Sequence, residues 1–219
     1  MRTFLLLIFI SVFSQTKAQY ELKINYSEIK EKIENPNSPN YYPKLLKRYN
    51  DFDELKLEEY ALIYYGFTFQ ERYLKNQPEE NEFSRLEKDE KFEELISACE
   101  KYLSINPVSL KANELMAYSL YKLNKPEAEW RKFQDRYRAL RKVIVYSGNG
   151  LTCETAFKVI SVSDEYDILY TYFDVETIKK QSLVGLCDKF EISPTEYYRS
   201  DIIYFDISQK LIQSENLRK

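Results

Sequence analysis

Between Phe92 and Leu140, apolar side chains recur every three or four residues in three successive runs, and the breaks between them fall at prolines. Phe92, Leu95, Ile96, Cys99, Tyr102 and Leu103 form the first stripe, closed by Ile105-Asn106-Pro107. Leu110 to Leu123 carries Leu115, Met116, Tyr118, Leu120 and Tyr121. The chain then turns at Asn124-Lys125-Pro126 and returns with Ala128, Trp130, Phe133, Tyr137 and Leu140, the proline well placed near a helix start. Three half-buried helices in succession need neighbours to cover their stripes.

The preceding residues supply them. Ser27 to Glu34 and Lys44 to Tyr49 read as short helices punctuated by Pro36, Pro39 and Pro43. Leu57 to Phe69 repeats the helical rhythm through Tyr60, Ala61, Tyr64, Tyr65 and Phe67, with Asp53 as the expected cap. Asn76 to Glu82 reads as a solvated acidic connection around Pro78.

After Arg141 the pattern changes. Val143 to Tyr146, Ala156 to Val162, Tyr166 to Phe173, Leu183 to Phe190 and Ile202 to Ile207 are β-branched or aromatic and bounded by turn residues. They predict a small antiparallel β-sheet with few helical residues. Helices first and strands last give an α+β fold, with a helical segment at 19–142 and a β-rich segment at 143–219 packed on it as one unit.

Residues 92–140 resemble the tetratricopeptide repeat, with its alanine and aromatic spine and closing proline. Phe92 to Pro107 resembles the second helix of one repeat and Leu110 to Leu140 the whole of the next. Asn113, Met116 and Ala117 stand where the repeat usually has Trp, Leu and Gly, and Ala128 sits one residue early. The resemblance implies a concave groove for a peptide or protein partner. Most of the chain after residue 18 also resembles the bacterial domain-of-unknown-function family numbered 4919. The phrases that carry it are Arg48-Tyr49, Glu58-Glu59-Tyr60, Tyr64-Tyr65-Gly66, Gly148-Asn149-Gly150, Thr155-Ala156-Phe157 and Val159 through Asp167. That resemblance implies an exported protein and supplies no catalytic residues.

Residues 1–18 read as a secretory signal peptide: Arg2, the apolar run Phe4 to Phe13, and Thr16-Lys17-Ala18 before the expected cleavage. The run is shorter than the roughly 20 residues a membrane span needs. No cysteine follows it directly and no later stretch is long enough to cross a bilayer, so the sequence predicts a periplasmic or secreted chain without a lipid anchor or transmembrane segment. Losing Arg2 and Lys17 leaves 30 basic against 35 acidic residues, a net charge of −5, which argues against nucleic acid as a partner.

Histidine is absent, which removes the common nucleophile–imidazole arrangements and imidazole metal ligands. Nothing implies a cofactor. Cys153 and Cys187 can pair in an oxidising compartment and leave Cys99 alone, or all three can be buried thiols. Asp164, Glu165 and Asp167, beside Ser161 and Ser163, are the densest carboxylates and have the hard oxygens of a Ca²⁺ site or an acid–base pair. On a strand Glu165 and Asp167 face one side while Asp164 and Tyr166 face the other, so a solvated turn is the expectation. Ser147-Gly148-Asn149-Gly150 has glycines that can cradle phosphate but no P-loop lysine, and reads as a tight turn. Arg131, Lys132, Arg136, Arg138, Arg141 and Lys142 read as a charged outer helix face open to an acidic partner. Asn25-Tyr26-Ser27 matches a glycosylation sequon by chance.

Tyr64, Tyr65, Tyr118 and Tyr121 are the candidate groove-lining residues, with most of the tyrosine surplus expected in the core. The leading expectation is a non-enzymatic protein- or peptide-binding module of the bacterial envelope. The competing reading is an enzyme, or a metal- or small-ligand protein, built on Asp164, Glu165 and Asp167. A structural envelope component is the third.

Overall fold

The computed structural model describes residues 22–74 and 81–216. The signal-peptide and cleavage-site expectations lie outside the described residues, as does most of the acidic connection around Pro78. The fold is α+β. Among the described residues, helices α1 (Tyr26–Glu34), α2 (Tyr42–Asn50), α3 (Leu57–Gly66), α4 (Asn81–Lys88), α5 (Phe92–Ile105), α6 (Leu110–Lys122) and α7 (Glu127–Val145) precede strand β1 (Phe157–Lys158). Helix α8 (Val162–Asp167), a π-helical turn at Ile168–Tyr172, strands β2 (Ile178–Val184), β3 (Cys187–Ile192) and β4 (Ile202–Asp206), and α9 (Ser208–Asn216) follow.

Local chemistry sets the helix starts. The Asn25 side chain accepts from the Ser27 and Glu28 amides at 3.0 and 3.3 Å, so the asparagine of the sequon match is the cap of α1. Pro43 sits in the first turn of α2, where its missing N–H costs nothing. The start of α3 is closed by Lys56 and Glu59, whose carboxylate accepts from the Lys56 amide at 2.8 Å; the expected cap, Asp53, lies short of the helix. Helix α3 is buried on every side from Ala61 to Gly66, which makes it a core helix.

Two apolar clusters result. The smaller joins Phe83 and Leu86 of α4, Leu95, Cys99 and Tyr102 of α5, and Leu115, Met116 and Leu120 of α6. The larger joins α1, α2 and α3 to one face of the sheet, where Phe157, Phe190, Ile203 and Phe205 are buried. Helix α7 belongs to both: Trp130 and Phe133 lie against the smaller cluster, and Tyr137, Leu140, Val143, Ile144 and Val145 enter the larger. Arg136, expected on an outer face, is 6% exposed. Its guanidinium lies 3.9 and 3.8 Å from the Tyr49 and Phe52 ring centroids and donates to the Tyr49 carbonyl at the end of α2.

The sheet has the order β1-β4-β3-β2. β2–β3 and β3–β4 are antiparallel, but β1 runs parallel to β4, so the sheet is mixed where an antiparallel one was expected. Two expected strands are helical. Val143 to Val145 extend α7, and Tyr166 to Phe173 lies in α8, the π-helical turn and its cap. Leu183 to Phe190, expected as one strand, is a hairpin turning at Gly185.

Candidate functional site

Helices α6 and α7 face each other along two stripes at helical spacing: Glu114, Tyr118 and Tyr121 on α6, and Trp130, Gln134, Tyr137, Arg138 and Arg141 on α7. With Glu87 of α4 they line a groove of about 600 Å³, a size suited to a peptide side chain cluster or a small ligand. Tyr118 and Tyr121 are 39% and 60% exposed, and the Tyr121 and Trp130 rings meet edge-on at 5.8 Å. The structure thus divides the four tyrosines named from sequence. Tyr118 and Tyr121 line the groove, whereas Tyr64 and Tyr65 are fully buried in the larger core.

The groove floor leads to a carboxylate. The Tyr137 hydroxyl donates to Asp167 at 3.0 Å and meets the Thr171 hydroxyl at 2.9 Å. Burial first, then the charge of Glu114, pushes the Asp167 carboxyl up to about 6, against the pull of the Tyr137 hydrogen bond, Arg141 and Lys111. Arg141 lies 4.3 Å from the Tyr137 ring centroid and donates to the Thr171 carbonyl and hydroxyl at 3.1 and 3.0 Å.

Asp164, Glu165 and Asp167 are buried, not in a solvated turn, because α8 carries them into the interface between the helices and the sheet. Each has separate company. Asp164 accepts from the Tyr64 hydroxyl at 2.6 Å, and that hydroxyl accepts from the Ile160 amide at 3.3 Å. Glu165 is 0% exposed, and neither of its carboxyl oxygens has a hydrogen-bond partner among the described residues. Burial first, then Asp188, which faces it without closing a hydrogen bond of ordinary geometry, pushes Glu165 up to about 9. No group of three or more His, Cys, Asp or Glu among the described residues is placed to hold a metal ion. Tyr64→Phe is expected to cost about 1–3 kcal/mol, since it removes one donor from Asp164 and the acceptor of the buried Ile160 amide. Urea unfolding measures that difference.

Cys153 and Cys187 form a disulfide with Cα atoms 5.8 Å apart. Cys99 is free and buried, and burial pushes its thiol up to about 12, so it is a poor nucleophile. Two amides of the turn at 147–150 are spoken for: those of Asn149 and Gly150 both donate to the Thr155 carbonyl, at 2.9 and 2.8 Å. Gly150 has φ of +71°, and a Cβ there would meet the Phe157 ring at 2.5 Å, so glycine is required. The basic run disperses: Arg131 pairs with Glu127, Lys132 lies over Phe52, Arg136 is buried, and Arg138 and Arg141 reach the groove. Sequence reasoning named neither Glu114 nor Trp130 as groove residues; the signal was the second α7 stripe, Trp130, Gln134, Tyr137 and Arg141, offset from the Phe133, Arg136 and Leu140 face.

No helix among the described residues is long and apolar enough to cross a membrane. The sequence model of a family described as "Domain of unknown function (DUF4919)" matches residues 27–216. Neither the curated proteins nor the solved structures give a match.

Proposed function

We propose that this chain, which belongs to the DUF4919 family, is an exported, non-enzymatic module of the bacterial envelope that holds a protein or peptide segment in the groove between α6 and α7. The carrying observation is the pair of exposed rings, Tyr118 and Tyr121, on the wall of a cleft whose size suits a ligand. Aromatic side chains left open in a concave site are the usual anchors of recognition, because they bury much area at little entropic cost. The tetratricopeptide-like pattern of residues 92–140 supports the same use of this face. The Cys153–Cys187 bridge supports export, since such bonds persist in oxidising compartments.

The test is chemical cross-linking in the envelope with a tagged copy of the full-length sequence, wild type against Tyr118→Ala/Tyr121→Ala. A near-stoichiometric partner captured by the wild type and reduced at least about tenfold with the variant is expected, the scale of two lost anchors at about 1 kcal/mol or more each. A partner held equally by both proteins would move the site off the groove.

A further inference from the structure

Resting on that reading of the groove, we infer that its occupant is an acidic peptide segment with an apolar anchor, its carboxylates paired with Arg138 and Arg141 and the anchor packed against Tyr118 and Tyr121. The charge balance of the walls argues for it. On α6, Glu114 is already paired with Lys111 at 3.1 Å, which leaves Glu87 of α4 as the other carboxylate lining the cleft. On α7, two guanidiniums one turn apart line the cleft. Arg138 meets Asp135 at a loose 3.8 Å, with about half of each side chain in water, a pairing too weak to withhold the cation from a ligand. Arg141 lines the cleft pre-positioned by the Tyr137 ring and the Thr171 oxygens. Arginines fixed in this way bind carboxylates with little further loss of freedom.

Asp167 gives the site a second signature. Its carboxyl lies one hydrogen bond behind Tyr137, facing Glu114 and Lys111 of α6, Tyr137 and Arg141 of α7, and Thr171 of the π-helical turn. Ionised, it offsets one arginine; protonated, it leaves the groove more positive. An acidic ligand therefore binds more tightly as Asp167 takes up its proton.

The experiment titrates the protein with two synthetic peptides of equal length, one alternating Glu with Leu and Phe, the other with Lys in place of Glu. Trp130, the chain's single tryptophan, lines the groove and reports occupancy by fluorescence. The acidic peptide is expected to saturate the signal and to bind about threefold more tightly at pH 5.5 than at pH 7, the scale of one charge removed at partly screened distance. Arg138→Glu is expected to weaken it at least about tenfold. Asp167→Asn is expected to erase the pH difference. Tighter binding of the Lys peptide with loss in Tyr121→Ala would overturn the charge assignment and leave the groove reading intact. Acidic-peptide binding unchanged by Arg138→Glu would also overturn the assignment. No saturable signal from either peptide at millimolar concentration would overturn both readings.

Discussion

Reducing the Cys153–Cys187 bridge is expected to lower the unfolding free energy by about 4 kcal/mol, the loop-closure entropy released when a link across 34 residues is cut. For a chain of this size that corresponds to a fall in Tm of roughly 8–16 °C. The corner it closes has few other ties. Leu151, Leu183, Val184 and Leu186 around it are each 44% exposed or more, so apolar packing there does little to replace the link. Among the described residues, the 149–156 loop is otherwise held by the Tyr204 amide of β4 donating to the Gly150 carbonyl at 2.9 Å and by the Tyr198 hydroxyl on the Asn149 carbonyl at 3.2 Å. Urea unfolding with and without reductant, alongside a Cys153→Ser/Cys187→Ser variant, measures the effect. The groove belongs to α4, α6 and α7, so its binding properties are expected to survive reduction at temperatures where the fold persists. A loss under about 1 kcal/mol would mean that the reduced chain already holds this corner closed.

What the sequence disclosed follows from which forces are local. Helices α5 to α7 were legible because each has a one-sided apolar stripe and a proline at its boundary, and both signals act within a turn or two. Val143-Ile144-Val145 was not, because β-branched residues favour strands only when nothing else decides. Here all three side chains are buried at the end of a helix, and that burial outweighs the few tenths of a kcal/mol by which propensity opposes it. Tyr166 to Phe173 failed for a related reason. Ser161 caps α8 by accepting from the Ser163 amide at 3.2 Å, and the Thr171 hydroxyl donates back to the Asp167 carbonyl at 2.8 Å in the π-helical turn.

The candidate site divides along the same line. Tyr118 and Tyr121 could be named because α6 is amphipathic and the repeat-like pattern gave its faces a meaning. Tyr64 and Tyr65 are the same residue type but stand on α3, which is buried on every side from Ala61 to Gly66. Their hydroxyls reach partners far along the chain, Tyr64 on Asp164 100 residues away and Tyr65 on the Lys158 carbonyl at 3.1 Å. Pairing over such separations has no periodicity to read. The carboxylates carry the same lesson: as a strand, 164 and 167 take opposite faces, whereas on α8 they are three apart and each receives a tyrosine hydroxyl from a different helix.

Replacing Glu165 by Gln is expected to stabilise the fold at pH 7 by up to about 3 kcal/mol, because the native glutamate must stay protonated while the unfolded one ionises. The folded carboxyl is pushed up to about 9 from the ordinary value of 4.5. Between those values the folded state holds a proton that the unfolded state releases, so stability is greatest below about 4.5, falls as pH rises, and levels off above about 9. Glutamine keeps the shape and removes the titration. Its amide brings two donors into a buried place, and Asp188 beside it offers an acceptor that offsets part of their desolvation. Asp167, with its own raised value, titrates in both proteins, so its contribution cancels in the comparison. Urea unfolding at pH 5, 6, 7 and 8 should give a wild-type curve that falls away from that of Glu165→Gln as pH increases. Parallel curves would show that water or structural relaxation solvates the Glu165 carboxylate at no cost, and that α8 is not packed against the sheet as tightly as the Tyr166–Phe190 ring contact at 5.7 Å implies.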